Sequence, residues 1–185
     1  MADRVSASIT IGGTLPRSLL PDLATLVQAE GLSTEWDGEP FTLSMFREGV
    51  PLELMAHEVA WGRFEHLETW CVEYGLPFAR WSGAYCGQWG AERVVFTGAG
   101  EVRSYAADED DYLLIGRCTV ERLGSYEAIL AHFAAGDFAA VQASLNLHLD
   151  AQSAGLHRAL QGAADGAAMI DAALKLHGDG LADET

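Results

Sequence analysis

The sequence predicts an α+β fold: an antiparallel sheet of the split βαβ, ferredoxin-like type with extra strands, followed by a C-terminal helical extension. Three observations predict it. Apolar and polar residues alternate along several short segments, which is typical of strands with one buried face. Two stretches between those segments repeat apolar residues at helical spacing. The last third of the chain changes to helical patterns rich in alanine and glycine.

The first strand and the first helix have the clearest patterns. Residues 5 to 11 alternate valine, alanine and isoleucine with serine and threonine, which predicts a strand. Residues 19 to 27 then repeat leucine and valine at helical spacing, and Pro21 is tolerated because it lies near the helix start. Gly31 follows as a left-handed cap.

A hairpin is expected next in the chain. Residues 41 to 45 alternate apolar and polar side chains, Gly49 permits a reversal, and residues 52 to 56 alternate again. The tight-turn signal at residues 37 and 38 suggests a further short strand over residues 32 to 36.

The second helix is predicted over residues 64 to 74, where one apolar stripe includes Leu67 and Cys71. A strand after Gly75 completes a β-α-β-β-α-β order through residue 85. Residues 93 to 97 and 101 to 105 flank a glycine-rich turn and predict another hairpin, so the sheet is expected to exceed four strands.

Residues 112 to 115 are expected to add one more short strand, and the C-terminal third that follows is expected to be helical. Ser125 is a candidate N-cap for a helix that ends at Gly136, and Asp137 is a candidate cap for another helix built on residues 138 to 149. The chain is therefore divided into a sheet domain, residues 1–116, and a helical extension, residues 117–185, with weaker helices and a frayed tail.

Composition limits the compartment and the partners. The chain has 185 residues, is 49% hydrophobic and carries a net charge of −16, so it is long enough to bury a core and is not expected to be disordered. It shows neither an apolar run of membrane-spanning length nor a signal peptide, which predicts a cytoplasmic protein with no membrane partner. Because nucleic-acid binding depends on basic residues, no direct nucleic-acid binding is expected.

The cysteines and histidines indicate no metal site. Three cysteines without a CxxC pair encode neither a disulfide framework nor a zinc finger. Cys71 falls on an apolar helix stripe and is expected to be buried, whereas Cys86 lies among glycines and is expected to be accessible. The histidines form no HExxH pattern and the glycines form no phosphate-binding loop, so no cofactor and no metal are predicted.

Acidic residues are concentrated in two places. Residues 30 to 73 contain ten acidic residues and two arginines, and Asp108, Glu109, Asp110 and Asp111 are consecutive. A calcium loop spaces its ligands at alternate positions and ends with a distant glutamate, so the run is interpreted as a solvated loop on a negative surface. Such a surface attracts a basic partner.

The functional prediction is a non-enzymatic protein that binds the basic surface of a protein partner. One concrete form is an inhibitor or nucleic-acid mimic acting on a nucleic-acid-handling complex, by analogy with the charge and size of antirestriction and anti-CRISPR proteins. Aromatic residues beside glycine-rich turns are candidate interface anchors. The candidate partner-binding residues are Glu65, Glu68, Glu73, Asp108, Glu109, Asp110, Asp111, Trp81, Tyr85 and Trp89.

Two alternatives stay open. The first is a small enzyme or ligand-binding domain with a pocket between sheet and helices, for which His57, Glu58 and Cys86 are the residues to suspect. The second is a self-assembling structural protein whose alanine- and glycine-rich helices pack between copies. The sequence does not determine the oligomeric state.

Overall fold

The architecture was taken from a computed structural model, which describes residues 3–138, 144–148 and 150. The described elements are β1 (Arg4–Ile11), β2 (Gly13–Pro16), α1 (Leu20–Ala29), β3 (Leu52–Ala60), α2 (Glu65–Glu73), β4 (Phe78–Ser82), β5 (Glu92–Phe96), β6 (Arg103–Ala106), α3 (Arg117–Leu123), α4 (Tyr126–Gly136) and β7 (Leu145–His148). The α+β class is confirmed.

The main sheet has five strands in the order β3-β1-β4-β5-β6, and every neighbouring pair is antiparallel. A second, two-stranded sheet joins β2 to β7. The main sheet therefore exceeds four strands, as the hairpin signal after residue 92 predicts.

The core lies between one face of the main sheet and helices α1 and α2. Alternate residues of β1, including Ile9 and Ile11, pack with Leu23 of α1 and with Leu67 and Cys71 of α2, and all are at most 1% exposed. Each such aliphatic side chain contributes roughly 1.5–3 kcal/mol by leaving water. The prediction that Cys71 is buried is confirmed.

The split βαβ arrangement is not confirmed. In that arrangement a strand that follows the first helix pairs with the outer edge of the strand that precedes the second helix. Here no strand lies between α1 and β3 in the described chain, so β3 is the edge strand of the main sheet and pairs with β1 alone.

Residues 41 to 45 were expected to form a strand, and this prediction is wrong. Phe41 is buried, but Leu43–Met45 form a 3-10 turn in which Leu43 is 46% exposed. The edge of β3 is met instead by Ser33, whose backbone exchanges two hydrogen bonds with Met55. Where a short strand over residues 32 to 36 was predicted, Ser33 forms two isolated bridges, one with Met55 and one with Pro40.

A β-bulge on β3 sets which side chains reach the core. Val59 pairs with Val5 and Ala56 pairs with Ala7, so His57 and Glu58 together oppose the single residue between them on β1. Glu58 adopts a positive φ of 57°, a conformation that costs energy outside glycine. The bulge brings Val59 onto the core face, where it is buried opposite Val5.

Two predictions for the second half of the chain are confirmed. The hairpin of β5 and β6 turns through Gly98 and Gly100, both at positive φ. Helix α4 begins after Ser125, whose hydroxyl oxygen accepts a hydrogen bond from the Ala128 amide at 3.1 Å.

Other predictions for this half are wrong. Leu145–His148, expected in a helix, form β7, because Leu145 is fully buried and pairs with Val50. The sequence prediction omitted helix α3, and residues 112 to 115 make only a single bridge at Leu113.

The sheet face opposite α1 and α2 is partly covered by α4. Ala79, Val95 and Tyr105 form a smaller apolar cluster there, against Leu113 and Phe138. The rest of this face, over β1 and β3, carries polar side chains.

The described residues belong almost entirely to one compact unit, Met1–Leu15 with Leu19–His148. Of the described residues, Pro16–Ser18 fall in a second unit. The weaker helices and frayed tail expected after residue 151 lie outside the described residues, and the division at residue 116 stays a prediction. Within the described part of the chain, no helix is both long and apolar enough to cross a bilayer.

Candidate acidic and aromatic groove beside helix α2

Two adjoining cavities lie along α2. The larger, about 680 Å³, is lined by Glu30, Ala60, Trp61, Arg63, Glu65, His66, Trp89, Gly90 and Glu92. The second, about 420 Å³, lies over β4, β5 and β6 and includes Glu68, Arg80 and Ser104. Arg63, Glu65 and Glu92 line both. We call the two together the acidic groove.

A buried arginine forms the floor of the groove. Arg80 lies on the sheet face that packs against the helices, and although it is charged it is only 2% exposed. Its Nη2 donates to Glu92 Oε1 at 2.7 Å and its Nη1 donates to Ser82 Oγ at 2.9 Å. Its Nε lies 2.9 Å from Glu68 Oε1 without hydrogen-bond alignment. Arg80 thus ties α2 to β4 and β5.

These contacts commit two of the groove carboxylates. Glu68 also accepts a hydrogen bond from the Phe64 amide at 3.0 Å, at the start of α2. Glu92 Oε2 accepts from Ser104 Oγ at 2.9 Å. Burial raises the pKa of Glu92, but the hydrogen bond and charge of Arg80 outweigh it, and the net shift of the Glu92 pKa is downward. Both carboxylates therefore act as structural anions.

Glu65 differs from them. It is exposed in the first turn of α2, and among the described residues it has neither a salt bridge nor a side-chain hydrogen bond. Nearby, Glu30 Oε1 accepts from the His66 amide at 3.2 Å, so it caps the positive end of the same helix. Glu65 is the uncommitted carboxylate of the groove.

Two tryptophans, Trp61 and Trp89, line the larger cavity, and Tyr85 packs against one of them. Trp61 and Trp89 have ring centroids 5.6 Å apart, and Trp89 stacks on Tyr85 at 4.9 Å. Trp61 is 52% exposed. The loop that carries Tyr85 and Trp89 is closed by the Tyr85 amide, which donates to the Trp89 carbonyl at 3.0 Å. A hydrogen bond to Asp3, with its charge, raises the pKa of the Tyr85 hydroxyl.

The predicted partner-binding residues divide between the two faces of the sheet. Glu65, Glu68 and Trp89 line the groove, and Tyr85 stacks against Trp89. Glu73 is exposed at the other end of α2. Trp81 alternates with Arg80 on β4, so it lies on the opposite face, where its Nε1 donates to the Asp108 carbonyl at 2.9 Å.

Three of the four consecutive acids have side-chain contacts within the protein, whereas the sequence predicted a solvated loop. Asp108 Oδ1 accepts from the amides of Asp110 and Tyr112, and Glu109 Oε1 accepts from the Ala84 amide at 3.1 Å. Asp111 forms a salt bridge with Arg93.

Asp111 is also partly buried. Its burial is the largest influence on its pKa, and with the charges of Asp108 and Asp137 it raises that pKa despite Arg93. Among the four acids, Asp110 retains an exposed carboxylate with no side-chain partner in the described part of the chain.

The residues suspected for an enzyme are not all brought together. A cleft of about 430 Å³ lies on the sheet face opposite α1 and α2, beside β1 and β3. Its lining includes Arg4, Ser6, His57, Glu58 and Trp81. The Ser6 hydroxyl lies 2.7 Å from His57 Nδ1, and Asp37 lies 3.6 Å from His57 Nε2. Cys86 is exposed, as predicted, but does not line this cleft.

Sequence reasoning missed Trp61, Arg80 and Glu92 as groove residues. A signal for Arg80 was present, because the alternation of Phe78, Arg80 and Ser82 places a charge on the core face of a strand. Trp61 has no comparable signal, since the turn after β3 could be placed only once the bulge was known.

Among the described residues, no group of three or more histidine, cysteine or acidic side chains is arranged so that it could hold a metal ion. Comparison of the chain with protein-family models, with curated proteins and with solved structures finds no match in any of the three. The residues of the groove are therefore the basis for any statement about function.

Proposed function

We propose that the protein binds a basic surface of a macromolecular partner through the acidic groove, and that the groove performs no reaction. One observation carries this proposal. The exposed, uncommitted Glu65 lies beside Trp61 and Trp89 in a cavity that also holds Glu30 and Glu92. Carboxylates beside exposed aromatic rings attract cations both by charge and by the ring quadrupole.

The net charge of the chain supports the same proposal. At −16, the chain attracts positively charged proteins over a Debye length of about 8 Å in physiological salt and repels phosphate backbones. The partner we propose is a cytoplasmic protein whose basic cleft ordinarily handles nucleic acid, and the chain would act there as an inhibitor or nucleic-acid mimic.

A charge reversal with a matched control tests the proposal. Glu65 and Glu127 are both exposed acids in the first turn of a helix, on α2 and α4 respectively, so Glu65→Lys and Glu127→Lys change net charge and helix dipole alike. Binding of a fluorescent oligo-arginine peptide is measured by anisotropy. We expect Glu65→Lys to weaken binding roughly fivefold or more, and Glu127→Lys by less than about twofold.

Ionic strength supplies the second arm of that experiment. Wild-type affinity should fall as salt is raised from about 0.02 to 0.15 M. Equal loss of affinity in the two variants would show that binding reflects net charge alone and would refute the groove as the site. Nuclease-treated host extract, passed over the wild-type protein and each variant, then identifies the partner by its loss with Glu65→Lys alone.

A second candidate function rests on Ser6, His57 and Asp37. Their order resembles the nucleophile, base and orienting carboxylate of acyl-transfer enzymes, with a 2.7 Å contact from Ser6 Oγ to His57 Nδ1. However, the side chain of His57 is 48% exposed and that of Asp37 is 88% exposed, which leaves little exclusion of water. A serine-directed fluorophosphonate probe that labels the wild type but not Ser6→Ala or His57→Ala would favour this candidate.

A further inference from the structure

We infer that the face formed by Trp61, with Glu65 as the uncommitted acidic residue of the same cavity, receives the guanidinium group of one arginine side chain of the partner. This assignment rests on the proposed function and goes further, because it names the chemical group that the groove recognises. It commits to arginine rather than lysine, and to a protein rather than a nucleic acid.

The backbone that carries Trp61 is held in an ordered turn. Trp61 has a positive φ of 56°, and its amide donates to the Asp3 carbonyl at 2.8 Å. The next residue, Gly62, lies so close to Ser82 that a Cβ at Gly62 would be 2.5 Å from the Ser82 Cβ. The ring is therefore presented on an ordered backbone, which reduces the entropy cost of binding.

A planar group can stack on the outer face of the Trp61 and Trp89 pair but cannot insert between the two rings. A planar group between two rings needs about 7 Å, twice a van der Waals contact of about 3.5 Å, whereas the centroids of Trp61 and Trp89 are 5.6 Å apart. Trp89 also stacks against Tyr85, with ring centroids 4.9 Å apart. The accessible aromatic surface is therefore on Trp61, whose exposed fraction is 52%.

The surrounding charges favour a cation. Glu30, Glu65, Glu92 and Arg63 are the charged residues that line the larger cavity, and because Arg80 pairs with Glu92, the attraction for a cation comes from Glu65 and Glu30. The positive end of the α2 dipole opposes a cation here, but Glu30 accepts the His66 amide at that end and offsets it. Arg63 is a basic residue that lines the same cavity, so its charge opposes that of an incoming arginine.

Arginine fits this site better than lysine. Its guanidinium is planar, stacks on an indole and is weakly hydrated, and its N–H groups reach a carboxylate at the ring edge in the same plane. Lysine offers a compact, strongly hydrated charge and gains less from the ring.

The experiment compares oligo-arginine and oligo-lysine peptides of equal length on the full-length chain. Trp61→Leu should weaken oligo-arginine binding roughly three- to tenfold, a typical cation–π effect, and oligo-lysine binding by less than about twofold. Trp61→Phe should fall between, and Arg63→Gln should tighten oligo-arginine binding. A thermal melt checks that each variant is folded.

Two results would overturn the inference while leaving the proposed function in place. One is an oligo-arginine affinity that depends on Glu65 and salt but not on Trp61. The other is an equal loss for both peptides in Trp61→Leu. Binding of a single-stranded oligonucleotide that depends on Trp61 would show that the ring stacks on a base, and would overturn both proposals. An effect of Glu65→Lys no larger than that of Glu127→Lys refutes the proposed function itself.

Discussion

Arg80 is the residue on which the interior of this protein most depends. A guanidinium that is 98% buried loses its hydration, a cost of several kcal/mol, and only close partners compensate for that cost. Glu68 and Glu92 supply the opposite charges, and Ser82 satisfies a further donor. Removing the arginine alone leaves two carboxylates facing each other without their cation.

We therefore expect Arg80→Met to lower the free energy of unfolding by about 3–5 kcal/mol. Adding Glu68→Gln and Glu92→Gln to the same chain should restore much of that loss, since no unpaired charge then remains. Urea denaturation followed by circular dichroism measures all three proteins. If the triple variant is as unstable as Arg80→Met, loss of packing rather than unpaired charge is the cause.

Glu92 makes stability depend on pH in the acidic range. Its pKa is lowered from an ordinary 4.5, so the folded state favours the ionised form. The stabilisation is present above the unfolded pKa and is lost as pH falls through the lower, folded pKa. Glu92→Gln should therefore cost about 1–2 kcal/mol at neutral pH and progressively less below about pH 4.5.

Denaturation of the wild type and Glu92→Gln across pH 3 to 7, about the range in which carboxylates titrate, measures this difference. Taking the difference also removes the contribution of Asp111, whose raised pKa acts in the opposite direction. A gap between the two proteins that stays constant with pH would show that Glu92 contributes through shape and not through its charge.

At the scale of elements, the turn between β3 and α2 positions the groove. The bulge at His57 and Glu58 brings Val59 onto the core face, and Trp61 and Gly62 then reverse the chain into α2. Gly62 is required for two reasons: its φ is +63°, and its Cα lies against β4.

Comparing Gly62→Ala with Gly31→Ala separates the cost of the positive φ from the cost of the close approach to β4. Both glycines have positive φ, 63° and 70°, but a Cβ on Gly31 meets nothing within 4 Å. Gly31→Ala should cost about 1 kcal/mol from the backbone alone. Gly62→Ala should cost about 3 kcal/mol or more, because Ser82 must also move. Thermal denaturation compares them, and equal losses would mean that β4 yields without cost.

At the scale of the whole molecule, the acidic residues have different roles. Several are held by intramolecular contacts, as Asp111 is by Arg93 and Glu68 is by Arg80. Glu65, by contrast, stays uncommitted beside an exposed tryptophan. Net charge therefore describes long-range attraction, while the few uncommitted carboxylates determine where a partner can attach.

The three cysteines report on the integrity of the molecule as a whole. Burial, followed by the charge of Glu68, raises the pKa of Cys71 to about 12, whereas Cys86 and Cys118 are exposed. Iodoacetamide should therefore alkylate Cys86 and Cys118 in the native protein and reach Cys71 only after unfolding. Intact-mass spectrometry counts the modified sites. Rapid native labelling of Cys71 would contradict the packing of α2 against β1.

Local patterns predicted many of the elements but not their partners. The alternation that begins at Val5, the stripe through Leu67 and Cys71, and the cap at Ser125 each depend on neighbours in sequence, and each was confirmed. Residues 41 to 45 carry the same alternation as β1 yet form a turn, and the edge of β3 where they were expected to pair is met by Ser33 instead.

The sequence by itself determined the α+β class, the large negative charge, the burial of Cys71 and the acidic character of α2, since these follow from composition and short-range periodicity. Only the tertiary structure decided that Arg80 neutralises Glu68 and Glu92, and that Trp61 lies beside Trp89. Strand order and a one-residue bulge bring these residues together from distant parts of the chain, and no local pattern encodes that pairing.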